Sequence, residues 1–237
     1  MKLGGWIIAG LAFLGACAHR QPVAPAPPPT TTAEIGIAVP AGASEWLVGH
    51  YTERVLFFHN AYAGPMNGGV AFVGDSITEG GDWAALFPGV TTRNYGIGGD
   101  TTVGLDNRLA QVVAARPAKL FLLIGTNDLN NDHRPAAQII ANTERLADRI
   151  AHELPRTRLY IQSVLPREAR NAEGVREINA GLRRITTARN LTYVDIYTPF
   201  VVEGGLLDPS VTEDELHLNG AGYARWRDVI APLVQAP

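Results

Sequence analysis

The chain has 237 residues, 46% of them apolar and 18% charged, with a net charge of -3. That balance suits one globular domain with a substantial core, and it gives no electrostatic support for a nucleic-acid partner. The single cysteine, Cys17, excludes an internal disulfide and a cysteine-based zinc site.

Cys17 closes the N-terminal run "MKLGGWIIAGLAFLGAC". Lys2 supplies a short positive start. Leu3 to Ala16 is apolar, has the length of a signal-peptide core and is short for a bilayer span. Leu14-Gly15-Ala16-Cys17 resembles a bacterial lipobox. That implies a signal peptide over residues 1–16, cleavage before Cys17 and lipid attachment to it. The expected location is the bacterial cell envelope, facing the periplasm or the cell surface, with the lipid anchor as the only membrane contact. Ala18, in place of an aspartate, favours the outer membrane. The plainer alternatives are an ordinary signal peptide or a short buried helix.

In residues 17–44 six prolines (Pro22, Pro25, Pro27, Pro28, Pro29 and Pro40) lie among Ala and Thr. Such a segment is expected to be an extended tether without a packed core. At about 3.1 Å per residue, Ala18 to Thr32 would reach roughly 45 Å. The folded domain is then 45–237.

It opens with "EWLVGHYTERVLFFHNAY", which reads as a helix with an apolar face. Strands are expected at Val70–Val73, Thr92–Tyr95, Lys119–Ile124, Arg158–Val164 and Thr192–Ile196. Each is rich in branched or aromatic residues and bounded by Gly, Pro or Asn. Helical spacing unites Leu105, Leu109 and Val112, then Ile139, Leu146 and Ile150, then Val175, Ile178, Leu182 and Ile185. A last helix carries Tyr223, Trp226 and Ile230. Strands alternating with helices predict an α/β fold, an open five-stranded parallel sheet with helices on both faces. In such sheets ligands bind beyond the carboxyl ends of the strands, so the residues that follow each strand are the informative ones.

After the first strand come Gly74, Asp75 and Ser76. After the second comes "GIGGDTT", after the third "GTNDLNND", and before the last helix "DELHLNG". The fourth strand ends in "LPRE", which offers no nucleophile or base. These pieces match the needs of acyl transfer. Ser76 can be the nucleophile and His217 the base, with Asp214 orienting the imidazole. The backbone N–H groups of Ser76 and Gly99 and the side-chain amide of Asn127 can form an oxyanion hole. Each piece also has a structural reading. Ser76-x-x-Glu79 is a capping-box signature, Gly96, Gly98 and Gly99 suit a tight turn, and Asn127 and Asp128 suit a turn. The functional reading rests on all the pieces falling at one sheet edge with complementary roles.

"GDSIT" at 74–78, "NYGIGGD" at 94–100, "GTND" at 125–128 and "DELH" at 214–217 resemble the four ordered blocks of the GDSL, or SGNH, hydrolase family. The resemblance implies a three-layer α/β/α sandwich of the flavodoxin-like type and the roles already named for Ser76, Gly99, Asn127, His217 and Asp214. It implies esterase, lipase, thioesterase or carbohydrate deacetylase chemistry, with neither metal nor cofactor. "FVGDSITEGGDW", "YGIGGDTT", "VLPR" and "LHLNGAGY" are also similar to the intracellular platelet-activating-factor acetylhydrolase branch and its bacterial relatives, sugar O-acetylesterases included. That implies a small acylated substrate, an acetyl ester, with a carbohydrate as one candidate for the alcohol. A lysophospholipase, a thioesterase or an acyltransferase would use the same residues, and a non-catalytic envelope-binding lipoprotein would share the anchor and tether.

Two other chemistries fit less well. "GIGGDTTVG" fails the dinucleotide pattern because Thr101 stands at the third glycine position. Asp75, Asp82, Asp100, Asp128 and Asp132 could suggest a metal phosphoesterase, but only His133 and His217 lie near these loops.

Overall fold

The computed structural model describes residues 28–236. Five parallel strands lie in the order β2-β1-β3-β4-β5: β1 Val70–Gly74, β2 Thr92–Gly96, β3 Lys119–Leu123, β4 Arg158–Gln162 and β5 Thr192–Val194. All pairings are parallel and in simple register, Phe72 beside Asn94 on one side and Phe121 on the other. This is the flavodoxin-like strand order, whose switch point lies between β1 and β3.

The central strands β1 and β3 read as nearly unbroken apolar runs because both faces of the sheet are covered there. Strand side chains alternate from face to face. Ala71, Val73, Leu120, Leu122, Leu159 and Ile161 join one core. It is covered by α1 Glu45–Ala61, α4 Thr102–Ala115, α6 Ala136–Glu153 and α7 Ala172–Ala188. Val70, Phe72, Phe121, Leu123 and Tyr160 point the other way. There they meet Trp83 of α3 Trp83–Leu86 and Trp226 and Ile230 of α8 Gly220–Gln235. Aromatic stacking organises this second core. The Phe72 and Trp83 rings stack at 3.8 Å, and Trp226 meets Trp83 edge-on at 4.8 Å.

Two further helices are short: α2 Ser76–Glu79 and α5 Thr126–Asn130. They begin directly after β1 and β3, on either side of the switch point. Neither is long enough to be stable alone, so their positions depend on what they touch.

The segment before α1 differs from the expected tether. Residues 33–35 form a 3-10 turn, and Thr32 and Ile37 are buried. Ile35 and Val39 pack on the first core, and the side-chain amide of Asn107 donates to Ala38 O at 3.1 Å. The apolar residues of "AEIGIAV" let the chain dock from about Thr32, thirteen residues before the expected boundary at Glu45. Residues 32–39 therefore pack with the folded domain, although the proline content placed them in the tether. Cys17, the lipobox and the tether before Pro28 lie outside the described residues. Among the described residues, no helix is long and apolar enough to cross a membrane.

Candidate active site

β1 ends at Gly74, and the chain turns at once into α2. Asp75 caps this helix, its Oδ1 accepting the Ile77 N–H at 3.0 Å. Ser76 is therefore the first helical residue, and the alternative reading of Ser76–Glu79 as a capping box does not hold. Freed from capping, Ser76 Oγ lies 3.0 Å from His217 Nε2. His217 Nδ1 lies 2.7 Å from Asp214 Oδ2. With Nδ1–H donated to the carboxylate, Nε2 presents its lone pair to the serine hydroxyl.

Asp214 and His217 sit in an irregular segment between β5 and α8, with side chains 53% and 48% exposed. The loop is held by its own hydrogen bonds. Asp214 Oδ1 accepts the backbone N–H groups of Leu216 at 3.1 Å and His217 at 2.7 Å. Glu215 takes a left-handed backbone, φ +62, to make the turn that returns His217 toward its aspartate. Partial desolvation alone would raise the Asp214 carboxyl. The His217 ring and these N–H groups outweigh it and hold the group at about 2.

Gly99 lies in the turn that follows β2, and Asn127 lies on α5 after β3. Residues 97–100 form a tight turn closed by the Asp100 N–H to Ile97 O, 3.1 Å. Gly99 occupies its third position with φ +77, which a side chain would resist. Asn127, on α5, donates one amide hydrogen to Asp100 O at 2.9 Å, and its Oδ1 accepts from the Asn131 side chain at 3.2 Å. The structure thus joins Ser76, His217 and Asp214 directly, and joins Gly99 to Asn127 through Asp100.

Beneath the site lie Asp75, Asp100 and Asp128, all essentially buried, with one fully buried cation, Arg108. Arg108 Nε pairs with Asp100 at 2.8 Å, and its NH2 group donates to Gly74 O at 3.0 Å. Asp128 accepts the Thr102 N–H at 2.8 Å and the Thr102 hydroxyl. Among the described residues, Asp75 Oδ2 finds no hydrogen-bond partner. Burial, reinforced by its two aspartate neighbours, pushes the Asp75 carboxyl up to about 7. Burial also raises Asp100, to about 6 against the opposing pull of Arg108, and it raises Asp128. These groups brace the ends of β1, β2 and β3 against one another. Among the described residues, no group of three His, Cys, Asp or Glu side chains is placed to hold a metal ion.

Several residues that fix the site carry no signal in a local pattern. Asn94 Nδ2 donates to Thr78 O, Glu79 O and Gly81 O at 2.9–3.0 Å. Trp83 Nε1 donates to Thr78 O at 3.0 Å, and Tyr223 OH donates to Ile77 O at 2.8 Å. Every one of these bonds ends on a backbone carbonyl of α2 or of the residues just after it. Gly96 matters because α2 crosses directly over it: a Cβ there would sit 2.2 Å from Glu79 N. The "GGDW" that follows Ser76 and the Asn of "NYGIGGD" hint at these roles only once the α2–β2 crossing is known.

Residues 72–225 match the model of the GDSL-like Lipase/Acylhydrolase family. The chain is similar to the platelet-activating factor acetylhydrolase IB subunit alpha2 of Rattus norvegicus, at 29% identity over 167 residues, 66% of this chain and 71% of that one. Among solved structures it is similar to a Streptococcus pneumonia protein provisionally described as a platelet activating factor. That match has a TM-score of 0.70 and 27% identity and covers 80% of this chain and 94% of that one. A likeness in fold extends to an acetyl-xylooligosaccharide esterase mutant from Geobacillus Stearmophilus, with a TM-score of 0.59, 18% identity and coverage of 73% and 96%. With most of its length inside the family match and the α/β fold those structures share, the chain belongs to the GDSL-like lipase/acylhydrolase family.

Proposed function

We propose that this acylhydrolase is a metal-independent serine carboxylic ester hydrolase that removes small acyl groups, chiefly acetyl. The observation that carries the reading is the unbroken line from Asp214 through His217 to Ser76, with contacts of 2.7 and 3.0 Å. His217 Nε2 takes the Ser76 proton as Oγ attacks the ester carbonyl. The tetrahedral oxyanion is held by the N–H groups of Ser76 and Gly99 and by the Asn127 amide hydrogen not committed to Asp100 O. His217 then protonates the departing alcohol, leaving an acyl-serine. Water, deprotonated by the same imidazole, attacks the acyl-serine; as the bond to Oγ breaks, His217 returns the proton to Ser76 and the acid is released. Asp214 keeps Nδ1 protonated throughout and stabilises the imidazolium in each half-reaction.

The acetyl preference draws on the acetylhydrolase subunits at 28–29% identity. Profiling p-nitrophenyl esters from C2 to C10 tests it. The highest kcat/KM is expected at C2, and a preference for long chains would overturn the reading. Acetylated glycans then test carbohydrate as the alcohol half.

We place the domain at the bacterial envelope on a lipid attached to Cys17, a reading supported by the Leu14–Cys17 motif. Cys17→Ser should move the protein from the membrane to the soluble fraction, and continued lipid labelling of that variant would contradict the anchor.

A further inference from the structure

Glu79 is the last residue of the same single-turn helix that Ser76 begins. Its carboxylate does not cap that helix. Glu79 Oε2 accepts the backbone N–H of Gly98 at 2.5 Å. His50 Nε2 lies 2.9 Å from the same oxygen, and Arg54 Nε lies 3.2 Å from Oε1. Arg54 also donates to Gly96 O from Nε and NH2, at 3.2 and 3.1 Å. Both His50 and Arg54 belong to α1, which precedes residues 72–225 of the family match. Trp46, also on α1, stacks on His50 at 5.1 Å with the rings 13° apart. The Leu47 side chain packs so closely on Gly99 that a Cβ there would lie 3.0 Å from it.

We propose that Glu79 is a positioning residue for the oxyanion hole, clamping the Gly98–Gly99 turn to the nucleophile's own helix, with α1 holding the clamp. The proposal rests on the serine hydrolase reading above. The physical reason is the rigidity of the peptide unit. Fixing the Gly98 N–H fixes that peptide plane, and the next plane carries the Gly99 N–H that the oxyanion needs. A glycine pair is otherwise the most mobile backbone available. An oxyanion hole works only if its donors are aimed before the charge develops. A carboxylate so near a developing negative charge would oppose catalysis if it were free. Here Arg54 offsets its charge and the Gly98 N–H occupies one of its oxygens. One turn of helix therefore carries the nucleophile at its start and the aim of a donor at its end, which fixes their separation.

The test is steady-state kinetics on p-nitrophenyl acetate, with active sites counted by end-point labelling with a fluorophosphonate. Glu79→Ala is expected to lower kcat per titrated site by about 10- to 100-fold, less than outright loss of a donor, with KM nearly unchanged. Glu79→Gln keeps an acceptor for the Gly98 N–H and should recover most of that rate. A residue that only supports folding would lower the number of labelled sites and leave kcat per site intact, and that result overturns the proposal. If Glu79→Ala does not fold, His50→Ala decides. A fall in kcat per titrated site carries the proposal, and an unchanged value overturns it. Failure of Ser76 to take the label in the native protein would sink the hydrolase reading itself. A full kcat per site in Glu79→Ala would sink only the clamp.

Discussion

The two halves of the site are built in opposite ways. Ser76, Gly99 and Asn127 sit at strand ends on short elements that are tied down from outside by Asn94, Trp83, Tyr223 and Asn127 itself. Asp214 and His217 sit in an irregular loop, about half exposed, held mainly by bonds within residues 212–217. The difference suits the chemistry proposed for each half. A nucleophile and its oxyanion donors must not move as charge develops, so they are fixed to the sheet. A base must pass a proton to a leaving alcohol and then draw one from water, so it must meet solvent. The loop has only to hold one imidazole in one tautomer, and three residues suffice for that.

The contrast predicts that the exposed half can lose activity without losing stability, while substitutions that remove a buried hydrogen bond from the other half lose both. The largest effect is expected at His217. His217→Ala should lower kcat by about 10⁴-fold or more. An exposed substitution of this kind should move folding free energy by only about 0.5 kcal/mol, read by urea unfolding. A large stability loss there would break the contrast. Asn127→Ala comes next, with kcat down about 10²- to 10³-fold. It also leaves the buried Asp100 carbonyl without its donor, at a cost of about 1–3 kcal/mol. Asn94→Ala touches no reacting atom, yet it unties three carbonyls around α2. It should cost a similar 1–3 kcal/mol or so and lower kcat by freeing the nucleophile's helix. Stability lost with kcat intact would show that α2 holds its place without Asn94.

A smaller effect concerns pH. The buried Asp75 carboxyl ionises near 7, against 3.8 for an ordinary aspartate. Between those values the folded state keeps a proton that the unfolded chain has released. Stability should therefore fall as pH rises from about 4 to about 7 and level off above. Asp208 and Asp214, held at about 2, act in the opposite sense, but below pH 4, so the windows separate. Asp75→Asn keeps the cap on Ile77 and should flatten the fall in melting temperature between pH 5 and 7, whereas an unchanged slope would move its origin elsewhere. The smallest effect should be none: EDTA is expected to leave hydrolysis unchanged, and a strict metal requirement would contradict the serine mechanism.

The buried half was also the more legible in sequence, but only in part. The apolar strand runs and the helix spacing were enough to place all five strands and the long helices, because burial on both faces writes itself into composition. Strand ends then pointed to Ser76, Gly99 and Asn127, and the segment before the last helix pointed to Asp214 and His217. The local pattern alone left Ser76 Oγ open, since Ser-x-x-Glu also suits a cap; the other blocks directed it to His217, where it lies, and the cap is Asp75, one residue earlier. The partners of Glu79 lie in α1 and in the turn after β2, segments that only tertiary packing brings together. Asn94 looked like any strand residue, because nothing local marks a side chain that serves three carbonyls on another element. The docking of Thr32 to Val39 was hidden for a different reason: the surrounding proline and alanine masked a few apolar residues that find a groove.

The most direct measurement is fluorophosphonate labelling of the native protein followed by peptide mass spectrometry, in parallel with p-nitrophenyl acetate hydrolysis. One adduct is expected, on Ser76, with activity lost in proportion to labelling and both absent in a folded Ser76→Ala variant. An adduct on any other residue, or hydrolysis retained by Ser76→Ala, would contradict it.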